Sequence, residues 1–457
     1  MESTGTLSAA NLDGVFKAYD VRGTYPEQID DGLARATGNA FARVVGAERV
    51  VVGYDMRPSS PALAAAFAEG ATAAGADVTL IGLASTDELY FASGHLECPG
   101  AMFTASHNPA QYNGIKLCRS HAQPVGLESG LKEIRALVGS GETYAAPRTG
   151  SVDHADLLDA YAEPLIGLSP VRGRRLKVVV DAGNGMAGFT TPAVLGRLEL
   201  DLVPLFFELD GTFPNHEANP IEPENLRDLS AEVLRTGADI GLAFDGDADR
   251  CFVVNEQGSP VPPSVLTALI ASRELAKEPG ARVIHNLITS RAVPEIITEA
   301  GGVPVRTRVG HSFIKATMAE TGAVFGGEHS GHFYFRDFWR ADSGMLAALY
   351  VLAALAESDE PLSSLLSRYG RYCPSGEINT RVADQQAVLD RLRAAYRDQP
   401  GVTMDELDGL TVTHDDWWFN VRASNTEPLL RLNAEAADEA AMVHLRDQVL
   451  QLIRSES

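Results

Sequence analysis

The 457-residue sequence predicts an α/β protein: three related α/β domains with mixed sheets, then a C-terminal α+β domain. Three observations carry that expectation. A strand, helix, strand, strand grammar recurs three times, and each recurrence ends in a loop of unusual polar chemistry. From about residue 371 the pattern changes to strands around a polar loop with an amphipathic helix behind them. The length also calls for several cores, at roughly 100–200 residues per domain.

The first recurrence runs "RVVVGYD" (49–55), an Ala-rich helix, "GADVTLIG" (75–82) and "GAMFTASHNP" (100–109). The second runs "LKVVVDAG" (176–183), a helix, "ELDLVPLFF" (199–207) and "ADIGLAFDGDADR" (238–250). The third runs "ARVIHNL" (281–287), "GGVPVRTRVGHS" (301–312) and "GAVFGGEHSGH" (322–332). β-branched strands alternating with helices at this spacing imply parallel or mixed sheets with right-handed crossovers. In such sheets ligands bind beyond the carboxyl ends of the strands, so three loops of different chemistry fall at equivalent positions. The final part, "LTVTHDDWWFNVRASNTEPLLRLNAEA" (410–436), reads as two strands flanking a polar loop, and "DEAAMVHLRDQVLQLIR" (438–454) has apolar residues at helical spacing. Pro, Gly and Ser gather near 150, 259 and 371, which sets expected domains of 1–153, 154–258, 259–370 and 371–457.

Apolar residues make up 45% of the chain and charged ones 22%, the balance of an ordinary globular protein. The formal charge of −23 repels nucleic acid and anionic membranes on average. A small anionic substrate then needs a locally basic pocket. No run reaches the ~18–20 apolar residues of a membrane helix. "MESTGTLSAANLDG" has no basic segment followed by an apolar one, so no signal peptide is expected. Four scattered cysteines, none in CxxC spacing, read as reduced thiols of a cytoplasmic protein.

The loops carry the chemistry. "DGDADR" (245–250) sets Asp245, Asp247 and Asp249 at alternating positions. Its bland reading is a solvated acidic turn, but a hard divalent cation relieves the repulsion of three close carboxylates, and oxygen-only ligands suit Mg²⁺ or Ca²⁺. An EF-hand is excluded, because the sixth position from Asp245 is Arg250 where that loop needs glycine. Arg250 suits a phosphate beside the metal. "TASHNP" (104–109) reads as a helix start, with Ser106 or Asn108 as N-cap and Pro109 in the first turn. That geometry also favours an anion, so Ser106 is a candidate phosphate carrier with Lys116 and Arg119 close behind.

"GEHSGH" (327–332) frames Glu328, His329, Ser330 and His332 with glycines and suits sugar hydroxyls. "RASNTEP" (422–428) groups Arg422, Ser424, Asn425 and Thr426, either a polar hairpin loop or a phosphate cradle. "GNGMAG" (183–188) matches GxGxxG with Glu208 about 20 residues on, the pattern of a nicotinamide dehydrogenase. That reading leaves the other loops unemployed, and the glycines fit a tight strand-to-helix turn.

Together "TASHNP", "DGDADR", "GEHSGH" and "RASNTEP", in this order, resemble the α-D-phosphohexomutase family, and the likeness runs from "FKAYDVRG" (16–23) into the last domain. The resemblance implies four domains around a central cleft. It implies a phosphoserine at Ser106, with Asp245, Asp247, Asp249 and that phosphate holding Mg²⁺. Glu328, His329 and Ser330 would meet the sugar, and Arg422, Ser424, Asn425 and Thr426 the substrate's non-reacting phosphate. Tyr19, Arg22, His107, Lys116, Arg250, Gly310, His311 and His332 match positions lining the cleft, and Lys315 adds to its positive charge. His332, Lys116 and His107 are the candidate general bases.

The implied activity is that of the phosphomannomutase branch: mannose 1-phosphate and mannose 6-phosphate exchange through a hexose 1,6-bisphosphate, with some phosphoglucomutase activity. A phosphoglucomutase, a phosphoglucosamine mutase, a metal phosphatase and a non-catalytic sugar-phosphate-binding protein are the alternatives. Glucosamine-specific relatives usually carry Gln at the place of His329 and Gly at that of Asn425. Some bifunctional relatives supply a sugar-contacting Lys where "HNLITSR" has Ile288, a change that bears on specificity. Neither nucleic acid nor membrane is expected as a partner, and the chain is expected to be a monomer or homodimer.

Overall fold

Valine-rich runs become strands buried on both faces, as parallel sheets require. Leu176–Asp181 and Ile240–Phe244 are almost wholly buried, and Arg49–Tyr54 is exposed only at its first residue and half-buried at its last. The computed structural model describes residues 9–423 and 429–455, apart from the side chains of residues 9–11, 311 and 312. The chain forms two compact units, Met1–Pro262 with Ser330–Leu365, and Pro263–His329 with Leu366–Ser457. Residues 330–365, inside the expected third domain, therefore belong to the first unit.

In the first unit, Arg49–Tyr54 pairs in parallel with Asp77–Leu83 on one side and Gly100–Phe103 on the other. Gly100–Phe103 then pairs antiparallel with Tyr112–Arg119, which pairs antiparallel with Val21–Thr24. The second sheet repeats that plan. Leu176–Asp181 lies parallel to Leu200–Leu205 and Ile240–Phe244, and Ile240–Phe244 turns back antiparallel into Cys251–Asn255. In the second unit, Arg282–Asn286 is likewise flanked in parallel by Val303–Thr307 and Phe325–Gly327. The threefold grammar of the sequence is thus a threefold topology, with the first strand of each repeat in the middle.

The C-terminal part is richer than the sequence suggested. Residues 410–436 hold three strands, Leu410–Thr413, Trp417–Ala423 and Leu429–Ala436. With Cys373–Arg381 and Thr403–Asp405 they make a five-stranded antiparallel sheet, packed under helices Gln385–Tyr396 and Glu439–Arg454. Thr413 and Trp417 are separated by only three residues, too short a gap for the sequence pattern to mark as a turn.

Glycines set the tightest approaches. "GNGMAG" is the strand-to-helix turn: Gly183 has φ +51°, and helix Ala187–Val194 begins two residues after Gly185. A Cβ on Gly185 would lie 2.7 Å from the Gly246 carbonyl oxygen, and Met186 N–H donates to that carbonyl at 2.9 Å. The motif therefore serves close packing on the acidic loop 245–250. Helices Asp31–Val45 and Ser60–Ala73 cross through Gly38 and Gly70, where a Cβ would lie 2.1 Å from the Phe67 carbonyl oxygen and 1.9 Å from that of Arg35.

Gly70→Ala should therefore force the two helices apart and lower the free energy of unfolding by about 1–3 kcal/mol in a urea titration. Gly167→Ala, in helix Leu158–Leu168 with open space around it, should be neutral or stabilising by up to ~1 kcal/mol. Equal effects at the two positions would contradict the crossing.

Candidate active site

Ser106 does not start a helix. Phe103 pairs with Ile115 across an antiparallel ladder, so residues 104–111 close a hairpin loop. The polar cluster looks like a helix cap because Ser and Asn cap turns of both kinds. The next run, "YNGIKLCR", is the strand Tyr112–Arg119. The anion-binding helix end expected there is absent, and positive charge comes from side chains instead. Ser106 sits at φ +51°, in the left-handed region, with its N–H on Thr104 Oγ1 at 2.9 Å. Its side chain, 5% exposed, donates to Asp245 Oδ2 at 2.8 Å, and His107 Nδ1 lies 3.2 Å from the same Oγ.

The metal-type loop comes from the matching place in the second sheet. Asp245, Asp247 and Asp249 are all buried, with one oxygen of each within 4.8 Å of the others. At an effective dielectric of about 20, a pair of charges at that separation repels by ~3 kcal/mol or more. Arg250 Nε donates to Asp245 Oδ2 at 2.8 Å. Lys116 Nζ bridges Asp247 Oδ2 at 2.7 Å and Asp249 Oδ2 at 2.6 Å. Burial pushes Asp245 up to about 7 despite Arg250. Burial acts the same way on Asp247, but Lys116 and Thr86 outweigh it and hold that carboxyl well below the usual range. Among the described residues, Asp247 Oδ1 and Asp249 Oδ1 have no hydrogen-bond partner although they are buried. Clustered carboxylate oxygens with unused acceptor capacity fit a hard divalent cation.

Cations and imidazoles complete this face of the first unit. Arg22 Nη1 donates to Asn108 Oδ1 at 2.7 Å, Nη2 donates to Asp20 at 2.5 Å, and the buried Nε has no hydrogen-bond partner among the described residues. Arg250 Nη2 is likewise buried without one. Such spare donors suit an anion. His332 Nε2 faces Asp249 at 3.7 Å and Asp342 at 3.9 Å, with Ser330 Oγ 3.0 Å from its Nδ1. Burial, with Arg250 and Arg22, pushes His107 well below the usual imidazole range, so the ring is neutral. Lys116 is the reverse: burial alone would lower its pKa, but Asp247 and Asp249 raise it well above the usual value. Tyr19 lies half-buried in the turn before Val21–Thr24. Arg119 points elsewhere, to the Ser129 carbonyl.

Sequence reasoning missed the residues that reach this site from far along the chain. Thr86 Oγ1 donates to Asp247 Oδ2 at 2.5 Å, and Thr86 N–H to the Asp247 carbonyl at 3.0 Å. Next to it Asp87 accepts from Ser343 and Tyr161 at 2.6 and 2.8 Å, and burial raises it to about 6. No local motif announces these contacts.

The remaining candidates lie in the second unit. Glu328 Oε1 accepts from Asn286 Nδ2 and from Gly310 N–H, both at 3.2 Å. His329 Nε2 is 3.9 Å from Glu377, which also pairs with Arg422 at 2.5 Å. Among the described residues, Arg422 Nε is buried without a hydrogen-bond partner. Lys315 is buried on helix His311–Thr321. Ile288 packs with Leu287, Trp418 and Val309 as an apolar plug. Ser424, Asn425, Thr426 and the His311 side chain lie outside the described residues.

Lys116→Met should leave Asp247 and Asp249 buried without their shared ammonium. Loss of one partner from a buried pair predicts destabilisation by about 3–5 kcal/mol without divalent cation. Mg²⁺ should then raise the melting temperature of the variant by more than that of the parent. Unfolding of the metal-free variant at the parental temperature would show that the ammonium is not the counter-charge.

Comparison with known proteins covers nearly the whole chain. Domain profiles of phosphoglucomutase/phosphomannomutase match in order: alpha/beta/alpha domains I, II and III at residues 13–145, 156–258 and 262–372, and the C-terminal domain at 377–452. A protein named phosphohexose mutases from Xanthomonas campestris pv. campestris is 42% identical over 438 residues, 95% of this chain and 97% of that one. A phosphomannomutase from Salmonella montevideo is 39% identical over 452 residues, covering 96% and 99%. The crystal structure of a phosphoglucomutase/phosphomannomutase family protein from Burkholderia thailandensis superposes with a TM-score of 0.88 at 34% identity, covering 97% and 98%. Four matched domains and full-length relatives at this identity place the chain in the phosphoglucomutase/phosphomannomutase family of phosphohexomutases, enzymes that move a phosphoryl group within a sugar phosphate.

Proposed function

We propose that this enzyme is a phosphomannomutase, which interconverts mannose 1-phosphate and mannose 6-phosphate through a phosphorylated Ser106, and which also turns over glucose phosphates. The observation that carries this reading is the 2.8 Å contact of Ser106 Oγ with Asp245, beside two further buried carboxylates and the Lys116 and Arg250 charges. Phosphoserine 106 passes its phosphoryl group to the free hydroxyl of a hexose monophosphate. The bond from Ser106 Oγ to phosphorus breaks as one from the sugar oxygen forms, giving a hexose 1,6-bisphosphate. The bisphosphate turns over, and its other phosphoryl group returns to Ser106 Oγ.

Asp245, Asp247 and Asp249 would hold Mg²⁺, which when bound offsets the charge on the transferring phosphoryl oxygens. Arg250 and Arg22, with buried N–H groups to spare, stabilise the same oxygens. Lys116 is held as an ammonium and donates, so the neutral His107, or else His332, is left to carry the hydroxyl proton. Glu328, His329 and Ser330 are assigned to the sugar hydroxyls, with Tyr19, Gly310 and His311 as further contacts. Arg422, Ser424, Asn425 and Thr426 are assigned to the phosphate that does not react.

Glucose 1-phosphate is the competing main substrate, since the 42% identical relative has a name that leaves the sugar open. His329 and Asn425 weigh against glucosamine. Ile288 in its apolar cluster offers no ammonium to the sugar.

Ser106→Ala should remove nearly all mutase turnover, by at least about 1,000-fold if the covalent step is obligatory. Parallel assays with mannose 1-phosphate and glucose 1-phosphate should give a higher kcat/KM for mannose. A substantial rate in Ser106→Ala would rule out the covalent route, and a clear preference for glucose would reassign the substrate. Net release of inorganic phosphate would point to a phosphatase.

A further inference from the structure

Arg57 belongs to no motif read from the sequence, yet it heads the fully buried side chains by size, at 1% exposure. Its guanidinium uses every N–H it has. Nε donates to Asp55 Oδ2 at 3.2 Å. Nη1 donates to the carbonyls of Pro109 and Tyr112 at 2.9 and 3.0 Å. Nη2 donates to the carbonyls of Ser106 and Asn108 at 2.9 and 2.6 Å. Four of its acceptors are thus main-chain oxygens of residues 106–112, three in the loop that carries Ser106 and one at the start of the strand that follows it. The fork geometry of arginine is what allows five donors to be spent this way.

The clamp is itself held from the loop that follows strand Leu200–Leu205. The Phe213 ring lies 5.1 Å from the guanidinium carbon, and a Cβ on Gly211 would lie 2.6 Å from Arg57 Cα. On the other side, a Cβ on Gly246 would lie 2.5 Å from the Ser106 carbonyl oxygen, so that carbonyl is pinned between Arg57 and the metal loop. Asp55 is fixed in turn by Ser60 Oγ at 2.6 Å and by the Arg57 N–H at 3.0 Å. Ser106 is in the left-handed region, which a serine leaves readily unless the surroundings forbid it.

We propose that Arg57 is a positioning residue for phosphoryl transfer. It holds loop 106–112 so that Ser106 Oγ keeps its aim at the aspartates whether Ser106 is a hydroxyl or a phosphoester, and it touches neither substrate nor metal. The inference rests on Ser106 being the phosphoryl carrier. It explains why a full cation is buried under backbone carbonyls: a hydroxyl and a phosphate dianion make different demands on the loop, and four fixed carbonyls keep the main chain the same in both. Asp55 is the nearest counter-charge, at 3.2 Å, and Asp247 of the acidic trio adds to it from further off.

Arg57→Lys keeps the charge and loses the fork. The test compares it with the parent enzyme for melting temperature, steady-state kinetics and the single-turnover rate of Ser106 phosphorylation by glucose 1,6-bisphosphate, followed by intact mass. A folded variant should lose about 100-fold in both kcat and phosphorylation rate, the penalty of an ångström-scale misplacement, with KM changed by no more than about threefold. Gly211→Ala, which pushes on Arg57 and leaves its guanidinium in place, should give a smaller loss of the same kind, and it serves if Arg57→Lys does not fold. Phosphorylation at the parental rate per folded molecule in Arg57→Lys, or in Gly211→Ala where that is the folded variant, overturns the inference while leaving Ser106 its role. A parent enzyme that never acquires phosphate on Ser106 overturns both.

Discussion

Three carboxylates buried within 4.8 Å of one another are the constraint around which the first unit is organised. Two cationic side chains hydrogen-bond the trio, Lys116 from the first sheet and Arg250 from the second. Burial makes each charge expensive, and Asp245 responds by rising to about 7. Mutual repulsion, unused acceptor oxygens and a serine hydroxyl on Asp245 all ask for the same thing, a divalent cation with a phosphate beside it. Because Lys116 and Ser106 come from one sheet and the aspartates from the next, the electrostatics also fasten the two sheets together.

The repeated topology explains how the trio and the serine can meet at all. In both sheets the third parallel strand ends in a loop and returns antiparallel, so Thr104–Gln111 and Asp245–Arg250 occupy equivalent places. Gly246 and Gly185 let these loops approach where any side chain would collide with backbone. The third repeat, with Glu328 after Phe325–Gly327, carries different chemistry at the same position. One scaffold solution is used three times, each time ending in a loop of different chemistry.

Much of this was legible in the sequence because strands buried on both faces have an unmistakable composition. "RVVVGYD", "LKVVVDAG" and "ARVIHNL" are each the central strand of their repeat. The acidic loop was legible too: its three alternating aspartates come together as one buried cluster, not as the solvated turn that was the bland alternative. The Ser106 loop was misread locally. Its Ser, Asn and Pro satisfy the rules for a helix start, and the hairpin is decided by pairing with Tyr112–Arg119 and by Arg57, about 50 positions upstream. Thr86, Asp87 and Ser343 were invisible for the same reason, as their partners lie 161 and 256 positions away. Side chains whose role is to hold another residue leave no spacing for a sequence to show.

The central claim is that the buried aspartates hold a divalent cation directly against the group carried by Ser106. Crystals of the enzyme treated with a hexose 1,6-bisphosphate and grown with Mn²⁺ in place of Mg²⁺ test it through the anomalous signal of manganese. The account requires one strong peak about 2.0–2.3 Å from oxygens of Asp245, Asp247 and Asp249 and from a phosphate on Ser106. A peak elsewhere, or an unmodified Ser106 beside an empty trio at saturating Mn²⁺, would contradict it.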